Sequence, residues 1–363
     1  MRIAYANALF RRDSTTGGNA HIGQFIANAV AMGHEVWTWP GDEHPSARRI
    51  PAGRLGRLRV MRRMDCLYAR VEHVPPRLGW LFRAPYRQVL GLPSVAWEFN
   101  TAPEFGRVVG KSESAVRRAV EEFRRRAREC DLAVCVSEAL AEYVRKNLGI
   151  ERVMTVPNGS DPELFRPDVS PVERVGRSPE RLNVVWIGSA HLEWHNLELL
   201  RNTARFLWNQ GSTTNIAFHI IGQGLGPSRD MPPNVSYYGA ERYEMLPHWL
   251  AAMDVGLVLY RPGPCDLGSP LKLFDYMASG LAVVATPQPQ VREVFGELAQ
   301  LDLMVPPDDA EALAAVLLRL ASDRARVRQQ GSLGRRRVVE YYNWRRAVRD
   351  IFDALEGLRH DRR

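Results

Sequence analysis

Lysine is nearly missing from this 363-residue chain: Lys111, Lys146 and Lys272 stand against 46 arginines. Such a skew reflects GC-rich coding rather than a function, but it makes each lysine conspicuous. The four cysteines, Cys66, Cys130, Cys135 and Cys265, form no C-x-x-C pair, and no His/Cys cluster has zinc spacing. That excludes a dithiol redox motif and a zinc module. Cys135, in the apolar run DLAVCVSE, reads as a small buried thiol. No apolar run approaches the ~20 residues of a membrane-spanning helix. The N-terminus, MRIAYANALFRRD, lacks the apolar stretch and cleavage site of a signal peptide, which predicts a reducing, cytoplasmic setting. There is no internal repeat, no low-complexity tract and no G-x-G-x-x-G dinucleotide fingerprint.

What is present is an ordinary globular composition, 45% hydrophobic and 25% charged, which excludes disorder as the main state. The length suits two domains. The net charge of +8 is uneven. Residues 1–150 carry 24 basic and 15 acidic groups, residues 151–330 carry 16 and 21, and residues 331–363 carry 9 and 5. The basic first part points to a polyanionic partner, nucleic acid or an anionic membrane surface.

Strand and helix patterns alternate in two halves. In the first, Met1–Leu9 and His34–Trp39 read as strands around a helix over His21–Met32, followed by a loop over Gly41–Gly56. Asp65–Arg70 and Ser94–Phe99 are strands with a helix between them. Ser114–Cys130 is a charged helix leading into the strand Leu132–Val136, and Ser137 suits the cap of a helix over Glu138–Asn147. Val153–Val156 is a further strand. PNGSDPELFRPDVSP then reads as an inter-domain connection. The second half has strands at Leu182–Ile187, Ile216–Ile221, Val235–Tyr238, Val255–Tyr260 and Leu281–Ala285. Its helices fall at Asn196–Trp208, Tyr243–Ala252 and Pro270–Ser279, then at 309–322, 323–341 and from Asn343 onward. This alternation predicts an α/β fold of two Rossmann-like, doubly wound domains facing across a cleft. Ligands then sit at the carboxyl ends of the strands.

Four stretches at such edges carry chemistry. Thr16-Gly17-Gly18-Asn19 lies between the first strand and first helix, where glycine admits a ligand and a helix N-terminus attracts anions. In GSPLKLFDYMASG, Ser269 suits an N-cap, Pro270 the first helical position and Gly280 the helix end. The free N–H groups of Leu271 and Lys272, with the Lys272 ammonium, suit a phosphate. Asp275, one turn on, suits sugar hydroxyls. Gly188-Ser189-Ala190-His191 with Glu193-Trp194-His195 is another strand-to-helix loop. Glu98 and Asn100 alternate onto one side at the end of a strand. Each stretch also has a purely structural reading as a turn, a well-capped helix or a loop.

Together these residues resemble the family 4 glycosyltransferases, which have the two-domain GT-B fold. The resemblance covers nearly the whole chain. It runs through Gly17-Gly18, Gly33-His34-Glu35-Val36, Asp131 to Glu138, Ile221-Gly222-Gln223-Gly224 and Asn234-Val235 with Gly239. It is carried most by Asn158-Gly159-Ser160-Asp161 with Phe165 and Pro167, and by Ser269 to Gly280. It implies a first domain of residues 1–164 joined by a returning C-terminal helix, 342–363, and a second of residues 165–341. It also implies a retaining, hexosyltransferase-like enzyme that uses a nucleotide diphosphate sugar, UDP- or GDP-linked, with no metal and no cofactor. The first domain would bind the acceptor and the second the donor, in cell-envelope or exopolysaccharide glycan synthesis.

Carried onto this chain, the resemblance places catalysis on Lys272, Asn100, Glu98 and His195. Gly17, Gly18, Gly188, Ser189, Gly222, Ser269, Leu271, Lys272 and Asp275 would hold the nucleotide sugar. Tyr238, Gly239 and Ala240 would flank the base. The chain departs from the family where Leu267 replaces the first glutamate of the E-x7-E pattern, with Asp266 beside it as a substitute. The usual arginine falls on Ser189, the lysine on Trp194 or His195, and the first-domain histidine near Asn100. His195, when protonated, would replace the missing lysine.

The alternative is a degenerate nucleotide-sugar-binding scaffold of the same fold, which would bind UDP or GDP without consuming a donor. No recognition motif supports nucleic acid as a partner. The acceptor is read as a glycan or lipid-linked molecule. The arginine runs Arg48 to Arg63 and Arg117 to Arg128 suit either an anionic inner membrane face or plain solvent.

Overall fold

The computed structural model describes residues 1–72, 74–76, 86–176, 178, 180–211, 215–224, 231–263, 266–296, 298 and 302–360. Cys265 lies outside the described residues, as does part of the segment read as a helix before Ser94.

Seven strands build the first sheet: β1 (Arg2–Ala6), β2 (Glu35–Thr38), β3 (Arg48–Arg49), β4 (Cys66–Val71), β5 (Ser94–Phe99), β6 (Leu132–Cys135) and β7 (Val153–Thr155). Their order is β3-β2-β1-β4-β5-β6-β7. Five build the second: β8 (Leu182–Ser189), β9 (Ile216–Gln223), β10 (Val235–Tyr237), β11 (Val255–Val258) and β12 (Ala282–Ala285), in the order β10-β9-β8-β11-β12. Every recorded strand pairing is parallel. β5, β6, β11 and β12 are buried from end to end, and apolar except for Ser94 and Glu98 of β5, because helices cover both faces. The winding reverses between β1 and β4 in one sheet and between β8 and β11 in the other. These switch points are where such sheets open a crevice for ligands.

The first domain carries α1 (Gly17–Ala31), α2 (Arg54–Met61), α3 (Tyr86–Val89), α4 (Phe105–Val108), α5 (Glu113–Arg126) and α6 (Glu138–Tyr143). The second carries α7 (Leu197–Asn209), α8 (Leu246–Leu250), α9 (Leu271–Ala278), α10 (Pro289–Phe295), α11 (Ala310–Ser322) and α12 (Arg324–Glu340). A last helix, α13 (Trp344–His360), returns to the first domain. Its Trp344, Val348, Ile351, Phe352 and Leu355 join Phe25 and Ile26 of α1 in one core against the sheet. Met61, Phe123 and Leu140 pack on a separate core with Trp97 and Phe99. Among the described residues no helix is long and apolar enough to cross a membrane.

Local chemistry sets many of these boundaries. Ser137 accepts the N–H of Leu140 as the α6 cap, and Gly149, at φ 70°, ends the π turn that follows. Thr16 caps α1 by accepting the N–H of Asn19, so the helix starts at Gly17 and not at His21. The segment 41–56, expected to be loop throughout, contains β3 and the start of α2. Two residues of strand are too few to show an alternation.

The chain crosses between domains twice, side by side. Ser160 N–H donates to Tyr342 O at 3.0 Å, and Trp344 N–H donates to Ser160 O at 3.1 Å. Gly159 is needed there, since a Cβ would fall 2.8 Å from the Tyr342 carbonyl oxygen.

Candidate active site

Both switch points open onto one inter-domain cavity of about 680 Å³. Its walls are strand ends and helix starts. From the first domain come Gly17 and Gly18 of α1, Arg70 at the end of β4 and Asn100 after β5. From the second come Gly188 and Ser189 of β8, Gly222 of β9, Ala240, and Ser269, Leu271, Lys272 and Asp275 around α9. Gly17 and Leu271 meet across it: a Cβ at Gly17 would lie 3.1 Å from Leu271 Cδ1. Two helix N-termini, α1 and α9, therefore converge on one space with their positive dipole ends.

The first-domain wall rests on Glu98, 1% exposed. Its Oε2 accepts the Tyr5 hydroxyl at 2.5 Å, and its Oε1 faces Arg70 Nη1 at 2.9 Å, Asn100 Nδ2 at 2.8 Å and His21 Nε2 at 2.6 Å. Burial would push its carboxyl up, but His21 and Arg70, with the hydrogen bonds from His21 and Tyr5, outweigh this and hold it well below the usual range. Glu98 was expected to be catalytic. Its oxygens are taken up by these neighbours, and it is not on the cavity wall. His21, Arg70 and Asn100 are the side chains that face the space. His21 and Arg70 were missed by sequence reasoning. His21 sits among the apolar positions of α1, but Arg70 closes an apolar strand at its carboxyl end, which is a readable signal.

The second-domain wall is built differently. Among the described residues, Lys272 Nζ is buried with no hydrogen-bond partner. It lies 4.3 Å from the Trp186 ring centroid and 5.4 Å from that of Tyr260. Aromatic faces favour the ammonium, while burial disfavours it and brings its pKa down to about 7. Gly188 admits this side chain, since a Cβ there would lie 2.9 Å from Nζ. Asp275 Oδ1 accepts Ser160 Oγ–H at 2.6 Å and Tyr243 O–H at 3.1 Å. Burial pushes its carboxyl up to about 7 against those two hydrogen bonds.

Several expectations are corrected. Ser269 does not cap α9; Pro270 holds that position, and Ser269 Oγ accepts the backbone N–H of Asn158 at 3.2 Å. His195 lines the cavity, in surroundings that disfavour its charged form. Burial and the Lys272 charge lower its pKa to about 3, and its Nδ1 lies 2.9 Å from Ser189 O. Asp266 accepts Gly263 N–H at 2.9 Å within its own loop and is not on the cavity wall. Leu267 packs on the first-domain core, and its carbonyl accepts Ser137 Oγ–H at 2.5 Å. Tyr238 and Gly239 lie behind the wall. The Tyr238 hydroxyl meets His219 Nδ1 at 3.0 Å, and Gly239 O accepts Gly222 N–H at 2.7 Å. Ala240 alone of that trio reaches the cavity. Among the described residues no group of three His, Cys, Asp or Glu side chains is placed to hold a metal ion.

Comparison with known proteins agrees with this architecture. Residues 15–164 match the model of Glycosyltransferase Family 4, and residues 181–323 match that of Glycosyl transferases group 1. An MMP alpha-(1->4)-mannosyltransferase of Mycolicibacterium hassiacum is 29% identical over 238 residues, 62% of this chain and 54% of that protein. The amylovoran biosynthesis glycosyltransferase AmsK of Erwinia amylovora is 28% identical over 209 residues, 52% of this chain and 50% of that protein. The chain spans about half the length of the curated relatives it matches. The Anabaena HepE structure in complex with UDP-glucose superposes with a TM-score of 0.68 at 14% identity, over 98% of this chain and 100% of that one. With both halves matched in order and the two-sheet cleft in place, the chain belongs to glycosyltransferase family 4 and has the GT-B fold.

Proposed function

We propose that the protein is a retaining glycosyltransferase. It moves a sugar from a UDP- or GDP-linked donor to a glycan or lipid-linked acceptor in cell-envelope or exopolysaccharide synthesis. The observation that carries this reading is the convergence of the α1 and α9 N-termini and Lys272 on one inter-domain cavity. Breaking a glycosidic phosphate bond leaves a diphosphate with growing charge, and preorganised N–H groups and an ammonium stabilise that charge without a metal. Lys272 supplies the ammonium, and the backbone at Gly17, Gly18 and Leu271 supplies the N–H groups. Asp275 suits the ribose hydroxyls. Asn100 and Arg70 face the reacting sugar from the acceptor side. The UDP-glucose complex of HepE and the teichuronic acid and amylovoran biosynthesis named for two relatives support the donor and pathway class.

The test is a panel of UDP- and GDP-sugars incubated with the full chain, with and without EDTA, following nucleotide release. Slow donor hydrolysis that survives EDTA is expected. UDP or GDP binding with no donor consumption would instead identify a degenerate scaffold.

An anionic inner membrane face is the proposed docking surface for reaching the acceptor. Arg54, Arg59, Arg62 and Arg63 of α2 and its end are exposed around Leu55, which is 77% exposed. A basic rim around an apolar side chain suits anionic lipid headgroups. Co-sedimentation with anionic vesicles at physiological salt is expected; no binding at low salt would end this part of the proposal.

A further inference from the structure

The transferase reading gives Asn158 no task, yet this residue lies between both walls of the cleft. It belongs to the first crossing between domains and is 6% exposed. Its Oδ1 faces His21 Nδ1 at 2.8 Å, and its Nδ2 donates to the Ser269 carbonyl at 2.7 Å. Its backbone N–H donates to Ser269 Oγ at 3.2 Å. His21 Nε2 continues the chain to Glu98 at 2.6 Å. One buried line of hydrogen bonds thus runs from the carboxylate under the acceptor-side wall, through α1 and the crossing, to the residue just before the α9 cap.

We propose that Asn158 is a positioning residue that sets the register of the two domains by tying His21 of α1 to Ser269 before α9. The inference rests on the transferase reading of the cleft. The carboxamide suits the task because its two ends differ. Turning it over would set its oxygen against the Ser269 carbonyl, so only one orientation keeps both bonds. An aspartate of the same shape has no donor for that carbonyl. The helices tied in this way are the two whose N-termini face the cavity, so loss of the tie displaces one phosphate-facing group relative to the other. Misplacement by about 1 Å can cost on the order of 10²-fold in rate while leaving binding to one wall intact.

The test compares Asn158→Asp, Asn158→Ala and Ser269→Ala in the full chain. It measures kcat and KM on a nucleotide sugar that the wild type consumes, UDP or GDP affinity, and small-angle scattering. Both Asn158 variants are expected to lose roughly 10- to 100-fold in kcat, with nucleotide affinity changed less than about threefold. They should also scatter as a more open particle. Ser269→Ala keeps the carbonyl acceptor and should lose roughly threefold or less. An Asn158→Asp variant with wild-type kcat and scattering overturns the proposal. So does one whose nucleotide affinity falls in step with kcat, which would make the residue part of the binding site. If Asn158→Ala fails to fold, Asn158→Asp and Ser269→Ala decide. If the wild type consumes no nucleotide sugar, the transferase reading fails, while scattering still decides the register.

Discussion

Glu98 and Asp275 are buried carboxylates on opposite sides of one cleft, and they live under opposite conditions. Glu98 faces the Arg70 guanidinium, the His21 ring and two further donors, and its carboxyl is held well below the usual range. Asp275 has two hydroxyl donors and no cation, and burial leaves it titrating at about 7. Lys272 follows the same division, an ammonium among aromatic rings with no acceptor. On the first-domain side Glu98 and Arg70 are paired within the protein, whereas on the second-domain wall Lys272 has no acceptor among the described residues. Buried groups without partners are costly to the fold, which is why they concentrate where function requires them.

Removing the unsatisfied cation tests this contrast most severely. Lys272→Met should lower donor consumption by roughly 10²- to 10³-fold. It should leave the unfolding midpoint unchanged or raised, because an unpaired buried ammonium is lost. Turnover close to wild type would break the comparison.

The two carboxylates should differ in stability and in pH response. Glu98→Gln leaves the buried Arg70 guanidinium without its counter-charge, a loss of about 3–5 kcal/mol in denaturant unfolding. Asp275→Asn should raise stability at pH 7, because the folded carboxyl there still holds part of a proton that the unfolded chain has fully released. From pH ~4 to ~7 the folded Asp275 keeps a proton that the unfolded chain has released, so its contribution falls as pH rises, by up to about 1.4 kcal/mol per unit. Asp275→Asn should remove that decline. Lys272 acts oppositely: from pH ~7 to ~10.4 the unfolded chain binds the proton and the folded one does not, so stability climbs, and Lys272→Met should flatten the climb. Unfolding curves at intervals from pH 5 to 9 check both slopes.

The smallest effect is expected at His195. It is neutral, so His195→Gln should lower turnover less than about tenfold and leave the pH profile in place. Its ring resonances in NMR should not titrate between pH 5 and 8. A titration near 6.5 would restore the cationic role for His195.

Much of the scaffold was readable from local pattern. Ser94–Phe99 is a strand at the expected residues, Ser137 caps the expected helix, and the α9 helix and the Asn158-Gly159 crossing fall where turn and cap chemistry put them. Elements too short for a period, such as β3, were not readable. Nor was which polar residue would be consumed by its neighbours. Asp266 looked free in sequence and is held by its own loop.

Local rules of spacing and capping were enough for two parallel α/β domains, the positions of the glycine turns and the singling out of Lys272. They act within a few residues, and all of those features are local. The cluster of Tyr5, His21, Arg70 and Glu98, and its link through Asn158 to Ser269, joins residues up to 264 positions apart. Parallel strands with crossover connections bring such segments together only once the sheet is wound and the chain has crossed between domains. Whether a buried charge finds partners, as Glu98 does and Lys272 does not, is therefore decided by packing between distant segments rather than by sequence neighbours.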